Sequence, residues 1–395
     1  MCSILGGTNF DEKSLSIYQK AKDRGRDFTG MIQIQNSWIA NHRATPTNEL
    51  SMVDNNQPFG KNFKLVHNGT ISNDMELGND IEQIDSYILT KVLDPTNVDT
   101  LKESLKLVKG SYAIAIITDN DILLACNYKP IFILEENGEK YFSSLKHHLG
   151  QGARRMKPYS ILSLKTGESR LVDRFQPNRA IVVCSGGLDS TSLIGYAKKH
   201  HDEIKLVHFD YGCKATKKEI AAIKKIAARV DVEYDILNLD YTKFKGNSTL
   251  FKDDEITSGI DGVEYALDWV YARNLIMLSI ATGYAEANGF GYIYLGSNLE
   301  ESGAYPDNEE QFIIDFNNLL YGAVNNGYKL EVKTPLGGLM KKEIVEFGMQ
   351  WKSPIELSWS CYNNQEHHCG KCAPCYMRKK AFERANIKDV TTYMI

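Results

Sequence analysis

Cys361, Cys369, Cys372 and Cys375 fall together in the run SWSCYNNQEHHCGKCAPC. Short turns of the Cys-x-x-Cys type aim successive sulfurs at one point, so thiolates at this spacing can close a tetrahedral Zn²⁺ site. Four thiolates leave no open coordination position, which predicts a structural metal rather than a catalytic one. His367 and His368 stand close enough to replace a sulfur. With the shell already complete, both are expected as solvated loop residues. A second chemical signature is Ser185-Gly186-Gly187-Leu188-Asp189-Ser190, which follows an apolar run and precedes a helical pattern. Paired glycines let the backbone turn tightly and approach a ligand. Ser190 or Asp189 can cap the helix, whose first N–H groups point at a bound anion. The arrangement suits a pyrophosphate, with Mg²⁺ on the phosphates through Asp189 and Lys341 as a further phosphate-neutralising charge. The third signature is Cys2. If Met1 is removed, the thiol gains an α-amine beside it as a proton relay, a compact nucleophile and base.

These groups need two differently built platforms. Up to residue 173 the chain reads as short strands at residues 30–39, 64–67 and 112–118, with helices at 13–24 and 83–93. That pattern predicts an α+β domain of packed sheets. Residues 174–179 are polar, contain Pro177 and read as a linker. From residue 180 to 395 strands alternate with helices: strands at 180–184, 205–209, 233–239 and 292–295, helices at 191–200, 217–229 and 267–287. Alternation of this kind predicts a parallel sheet covered on both faces, with ligands at the carboxyl ends of its strands.

At 395 residues the chain is long enough for two or three domains, and 43% hydrophobic with 24% charged residues reads as a soluble globular protein. A net charge of −4 argues against a general nucleic-acid binder. No apolar run approaches the roughly 20 residues that span a bilayer. Met1 leads into Cys2 without a signal-peptide pattern, so a reducing cytoplasmic compartment is expected, where clustered cysteines favour metal over disulfides.

SGGLDS resembles the signature of the PP-loop ATP pyrophosphatases, which cleave ATP to AMP and pyrophosphate while activating a carboxylate or carbonyl. Further motifs resemble the 7-cyano-7-deazaguanine synthases. Arg273-Asn274 with Leu278-Ser279, Gly296-x-Asn298, Tyr305-Pro306-Asp307 and Lys341-x-Glu343-Ile344-Val345 follow in that order, ending in the cysteine run. The resemblance covers about residues 180–382. It implies ATP at Ser185–Ser190 and Lys341, and a deazaguanine base at Arg273, Asn274, Asn298, Tyr305 and Asp307. Asp307 would accept hydrogen bonds from the base. The sequence departs from that family at Glu309, where an arginine is usual, at Val270-Tyr271-Ala272 before Arg273-Asn274, and at Cys213-Lys214. A charge reversal at Glu309 means that the acceptor differs or that this side chain faces solvent.

Residues 2–173 resemble the class II glutamine amidotransferases, whose fold is the layered N-terminal-nucleophile fold. The resemblance implies Cys2 as nucleophile and Arg43, in HRAT, on the glutamine carboxylate. Asn68 and Gly69 would form the oxyanion hole, and Asp85 would hold the glutamine α-amino group. HRAT is one residue tighter than in some members.

Together these expectations describe an αββα amidotransferase domain followed by an α/β PP-loop domain with a zinc-binding tail at residues 361–375. Its substrates would be glutamine, ATP and 7-carboxy-7-deazaguanine, with ammonia channelled from Cys2 to the adenylated carboxylate to give the 7-amido or 7-cyano base. No nucleic-acid or membrane partner is expected, and the oligomeric state stays open, a homodimer among the options. Two rival readings keep the domain order. One is a paralogue that passes the activated deazaguanine to a different amine, in nucleic-acid modification or antiphage defence. The other is an asparagine-synthetase-like amidotransferase, against which the cysteine quartet and the YPD segment argue.

Overall fold

The computed structural model describes residues 2–45, 55–80, 83–244, 246, 248–251, 269–302 and 305–394. The chain divides into two units, Met1–Arg174 and Phe175–Ile395.

Among the described residues the first unit holds eleven strands: β1 Ser3–Gly7, β2 Phe28–Ile34, β3 Ser37–Arg43, β4 Lys64–Ile71, β5 Gly110–Ile117, β6 Ile122–Cys126, β7 Phe132–Glu136, β8 Glu139–Ser143, β9 Arg154–Arg155, β10 Ser160–Ser163 and β11 Ser169–Leu171. They form two antiparallel sheets, ordered β2-β3-β1-β8-β7-β9 and β11-β10-β6-β5-β4. Strand β5 shows why the sheets stack. Its sequence GSYAIAII is apolar on both faces. Ala113, Ala115 and Ile117 face Ile4, Ile39, Val66 and Phe142 in the core between the sheets. Tyr112, Ile114 and Ile116 face the other way, onto Leu101 and Leu105 of the helix Val98–Leu105. Leu5, Trp38 and Ala40 on the outer face of the first sheet pack on Ile17 of the helix Glu12–Lys20. The period of two therefore builds an αββα sandwich, with one apolar layer between the sheets and one outside each.

The expected strand at residues 30–39 is two strands, because Gln35 adopts φ 55 in the turn that joins β2 to β3. The helix expected at residues 83–93 is a 3₁₀ turn, Asp85–Ile88, running into the short helix Leu89–Val92.

The second unit carries β12 Arg179–Val183, β13 Glu203–Asp210, β14 Glu233–Asn238, β15 Tyr292–Tyr294 and β16 Glu331–Lys333. All pair in parallel, in the order β14-β13-β12-β15-β16. Alternate residues of β12 enter two cores. Ile181 and Val183 pack with Leu278 and Ala281 of the helix Arg273–Ala287. Ala180 and Val182 pack with Leu193 of the helix Leu188–His200 and Ile223 of the helix Thr216–Val230. Strand order reverses direction at β12, the place where open parallel sheets hold ligands. The expected linker is largely built into this unit, since Phe175 N–H donates to Gly327 O at 2.7 Å and its carbonyl accepts from Lys329 N at 2.8 Å. The helix expected at 267–287 starts at Arg273, after Ala272 at φ 49, and residues 267 and 268 lie outside the described residues. Among the described residues no helix is long and apolar enough to cross a membrane.

Candidate active sites

In the first unit, register decides what meets. Ser3 pairs with His42, so the antiparallel ladder carries Cys2 alongside Arg43. The Cys2 thiol lies 3.8 Å from the carbonyl oxygen of Ala44. Cys2 is two residues from Ile4, Arg43 is four from Ile39, and Asn68 is two from Val66. Even spacing from residues of the inter-sheet core turns all three toward the interlayer. Asn68 is buried, and its Nδ2 has no hydrogen-bond partner among the described residues. A buried donor without a partner is costly, so an oxygen of a bound ligand is its natural complement. Gly69 is held to glycine, because a Cβ there would lie 1.9 Å from the carbonyl oxygen of Ser111. Asp85 starts the 3₁₀ turn. Its Oδ2 accepts from Ile71 N–H at 2.5 Å and its Oδ1 from Ser86 Oγ at 3.2 Å, which fixes the carboxylate at the end of β4.

Arg24 was absent from the sequence reading. Burial lowers its pKa, while nearby Cys2 and Asp23 pull it back up, which places a guanidinium in the electrostatic range of the thiol. Its loop is anchored to the strand of Arg43 by Asp27 N–H donating to Arg43 O at 3.0 Å. An arginine far from every motif in sequence gives no spacing signal.

In the second unit, Ser185, Gly187, Leu188, Asp189 and Ser190 line one pocket with Arg273, Asn274 and Lys341. Gly186 turns the loop at φ 77, and a Cβ there would lie 2.9 Å from Glu219 O. Ser190 Oγ accepts from Ser185 N at 3.2 Å, and Gly187 N donates to Ser185 Oγ at 3.2 Å, so side chains of the loop hold its own backbone. Lys341 is no surface lysine. Its Nζ lies 2.6 Å from Asp189 Oδ2 and 2.5 Å from Glu301 Oε1. Burial disfavours its charge, but the two carboxylates more than restore it and raise its pKa. Burial raises the Asp189 pKa, against the pull of Lys341. Asp189 Oδ1 has no partner among the described residues. A carboxylate oxygen left open beside the loop is the kind of donor that a divalent cation such as Mg²⁺ takes.

The remaining expected base-binding residues do not line this pocket. Asn298 is fully buried and caps the helix Leu299–Ser302, its Oδ1 accepting from Glu301 N at 3.1 Å. Asp307 Oδ2 accepts from Asn274 N at 3.1 Å, at the start of the helix Arg273–Ala287. Tyr305 stacks on Trp269 with centroids 5.6 Å apart. Glu309 is exposed. Lining residues that carry no motif in the sequence include His208, Glu219 and Glu301. Burial pushes Glu219 up to about 7, with Arg273 pulling the other way.

The sulfurs of Cys361, Cys369, Cys372 and Cys375 all lie within 4.8 Å of one another. Cys361 to Cys372 and Cys369 to Cys375 are each 4.0 Å. A tetrahedron of Zn–S bonds near 2.3 Å needs sulfurs about 3.8 Å apart. Backbone N–H groups of Asn363 and Cys369 point at Cys361 Sγ, and those of Lys371 and Cys372 at Cys369 Sγ. Such donors suit thiolates, so the residues fit a structural metal. His367 is exposed, as expected, but His368 is buried, its ring tilted against Trp359 with centroids 4.2 Å apart and accepting from Ser360 N at 3.0 Å. Packing, rather than solvent, claims that ring. The cysteine segment also walls the pocket with Trp359, Ser360 and Tyr362.

The profile of the family described as queuosine biosynthesis protein QueC matches residues 179–386. A 7-cyano-7-deazaguanine synthase from Sulfolobus acidocaldarius is 37% identical over 460 aligned positions, covering 100% of both chains. The chain belongs to the 7-cyano-7-deazaguanine synthase family. A second member, from Saccharolobus solfataricus, is 36% identical over 100% of this chain and 99% of its own. A shorter member from Methanothrix thermoacetophila is 40% identical, covering 54% of this chain and 98% of its own. The profile of a glutamine amidotransferase domain matches residues 45–151. This synthase-family chain is thus an ATP-dependent ligase that carries its own amidotransferase domain.

Proposed function

We propose that the protein converts 7-carboxy-7-deazaguanine to its 7-amido and 7-cyano products with nitrogen from glutamine. The observation that carries the reading is that the phosphate loop and the Arg273 guanidinium line one pocket, so a triphosphate and an anionic acceptor can meet there. Cys2, freed of Met1, attacks the glutamine amide. Asn68 Nδ2 and the Gly69 N–H take the developing oxyanion, Arg43 and Asp85 hold the two charged ends of glutamine, and hydrolysis of the thioester leaves glutamate. The released ammonia is delivered without passing into bulk water, where most of it would be ammonium and not nucleophilic.

In the second site the substrate carboxylate attacks the α-phosphate of ATP and pyrophosphate leaves. Ser185–Ser190 cradle the phosphates, and Asp189 with Glu301 would hold Mg²⁺, which supplies charge neutralisation when bound. Ammonia displaces AMP and loses a proton, giving the amide. Attack of the amide oxygen on the α-phosphate of a second ATP expels pyrophosphate, and loss of AMP together with both amide protons gives the nitrile. One nitrile therefore consumes one glutamine and two ATP. Arg273 and Asn274 orient the base, and Asp307 acts by fixing the helix start that presents them. Zinc on the four cysteines is structural. Exposed Glu309 gives no reason to invoke a different acceptor. The test is product mass after turnover with ¹⁵N-amide glutamine: a nitrile or amide carrying one label is expected. AMP formed without label in the base would point to another amine acceptor and refute the reading.

A further inference from the structure

His208 stands on β13 and lines the same pocket as the phosphate loop, with only 2% of its surface exposed. Its Nδ1 lies 3.0 Å from the carbonyl oxygen of Cys184. A carbonyl can only accept, so Nδ1 carries the proton. Nε2 of the neutral ring is then a lone-pair acceptor. It is buried and has no hydrogen-bond partner among the described residues. Burial also holds the imidazole below its ordinary pKa, which keeps the ring neutral. An acceptor in this state is satisfied by a donor brought in from outside the chain, such as a ligand hydroxyl or amino group.

The ligand's chemistry can be narrowed. At neutral pH a triphosphate offers acceptors alone, so its oxygens cannot pair with a lone pair. Cys184, which fixes the ring, immediately precedes the phosphate loop. A nucleotide with its phosphates on that loop continues over the carboxyl ends of β12 and β13, where His208 sits. Resting on the ATP reading above, we propose that His208 Nε2 accepts a hydrogen bond from the nucleoside part of ATP. The donor is a ribose hydroxyl or the adenine amino group, and His208 selects the nucleotide through it.

The experiment measures AMP release by the wild-type enzyme and His208→Phe. The phenyl ring keeps the shape and removes the acceptor. The substrates are ATP, 2′-deoxy-ATP, 3′-deoxy-ATP, and the purine riboside triphosphate lacking the 6-amino group. The wild type is expected to lose about 10-fold in kcat/KM with the analogue that lacks the bonded donor. His208→Phe is expected to lose a similar factor with ATP and nothing further with that analogue, while KM for the deazaguanine stays unchanged. The analogue identifies which of the two donors is bonded. His208→Gln, which restores an acceptor, recovers part of the discrimination and serves where the phenyl variant is unstable. Equal analogue penalties in wild type and both variants would overturn the assignment, as would a change confined to KM for the deazaguanine. If ATP neither stabilises the wild-type protein thermally nor yields AMP, the ATP reading falls together with this one. The other adverse results remove His208 alone.

Discussion

Lys341 Nζ and Asp189 Oδ2 lie 2.6 Å apart although 152 positions separate the two residues in sequence. Glu301 closes the triad from a third segment, and all three side chains are at most 21% exposed. The lysine holds the phosphate loop, the helix Leu299–Ser302 and the helix Lys341–Gln350 at one point. Lys341→Met would leave two carboxylates facing each other without a cation. Removing one partner of a buried pair costs roughly 3–5 kcal/mol. The expected outcome is a lower urea midpoint and loss of AMP and pyrophosphate formation, with glutamine hydrolysis at Cys2 retained. A variant that still forms AMP at the wild-type rate would remove Lys341 from the ATP site.

Cys2→Ala is expected to abolish glutamine-dependent product while ammonium salts at high pH still support it. Cys2 belongs to the first unit, and Ser185–Ser190 to the second. Only the nitrogen source is lost. Stability should change little, since the thiol is partly exposed and its contact with Ala44 O, at 3.8 Å, is weak. Glutamate release measured with and without ATP checks this, and glutaminase activity persisting in the variant would exclude Cys2 as nucleophile.

Glu219 gives a pH signature. Burial raises its folded pKa from 4.5 to about 7. Unfolded, it ionises near 4.5, so between these values the folded state binds the extra proton. Its favourable contribution is complete below pH 4.5, falls as pH rises, and is lost above pH 7. The size is on the order of 3 kcal/mol. Urea midpoints of the ligand-free wild type at pH 5 and 7.5 should fall relative to Glu219→Gln. Parallel pH dependence in the two proteins would show that Glu219 is ionised throughout.

Much of this was readable before the fold. Strand β12, the glycine loop and the helix Leu188–His200 announce themselves because each local rule agrees with the others. The cysteine cluster is legible for the same reason, its ligands being short range. The missed residues share a different property. Arg24, His208 and Glu219 are single polar residues in ordinary strand, loop or helix surroundings, and tertiary packing alone brings them to a site. His368 differs the other way: a complete cysteine shell gives the ring no role in the sequence, yet it is buried against Trp359. Asp307 shows a role that sequence does not announce: its Oδ2 accepts from Asn274 N–H at the start of a helix, and a capping carboxylate looks the same in sequence as one that meets a ligand.

Removing the metal should cost more than the tail. The backbone N–H of Trp359 donates to Gly186 O at 2.7 Å, joining the cysteine segment to the phosphate loop. Arg378, 1% exposed, ties the helix Ala373–Arg384 to Ser358 Oγ at 2.6 Å and to Asp389 at 3.2 Å. Without a cation, four inward-facing sulfurs have no common partner, and the free energy of metal binding is lost from folding. The protein as isolated should therefore contain one zinc per chain by elemental analysis. Cys372→Ala, or prolonged chelation, should lower the thermal midpoint. Because Trp359, Ser360 and Tyr362 wall the pocket that Ser185–Ser190 line, ATP-induced stabilisation should disappear along with the metal. Glutamine hydrolysis at Cys2 should survive, the first unit having its own cores. Metal-free protein with unchanged melting and unchanged ATP response would show that the cysteines are not a structural metal site.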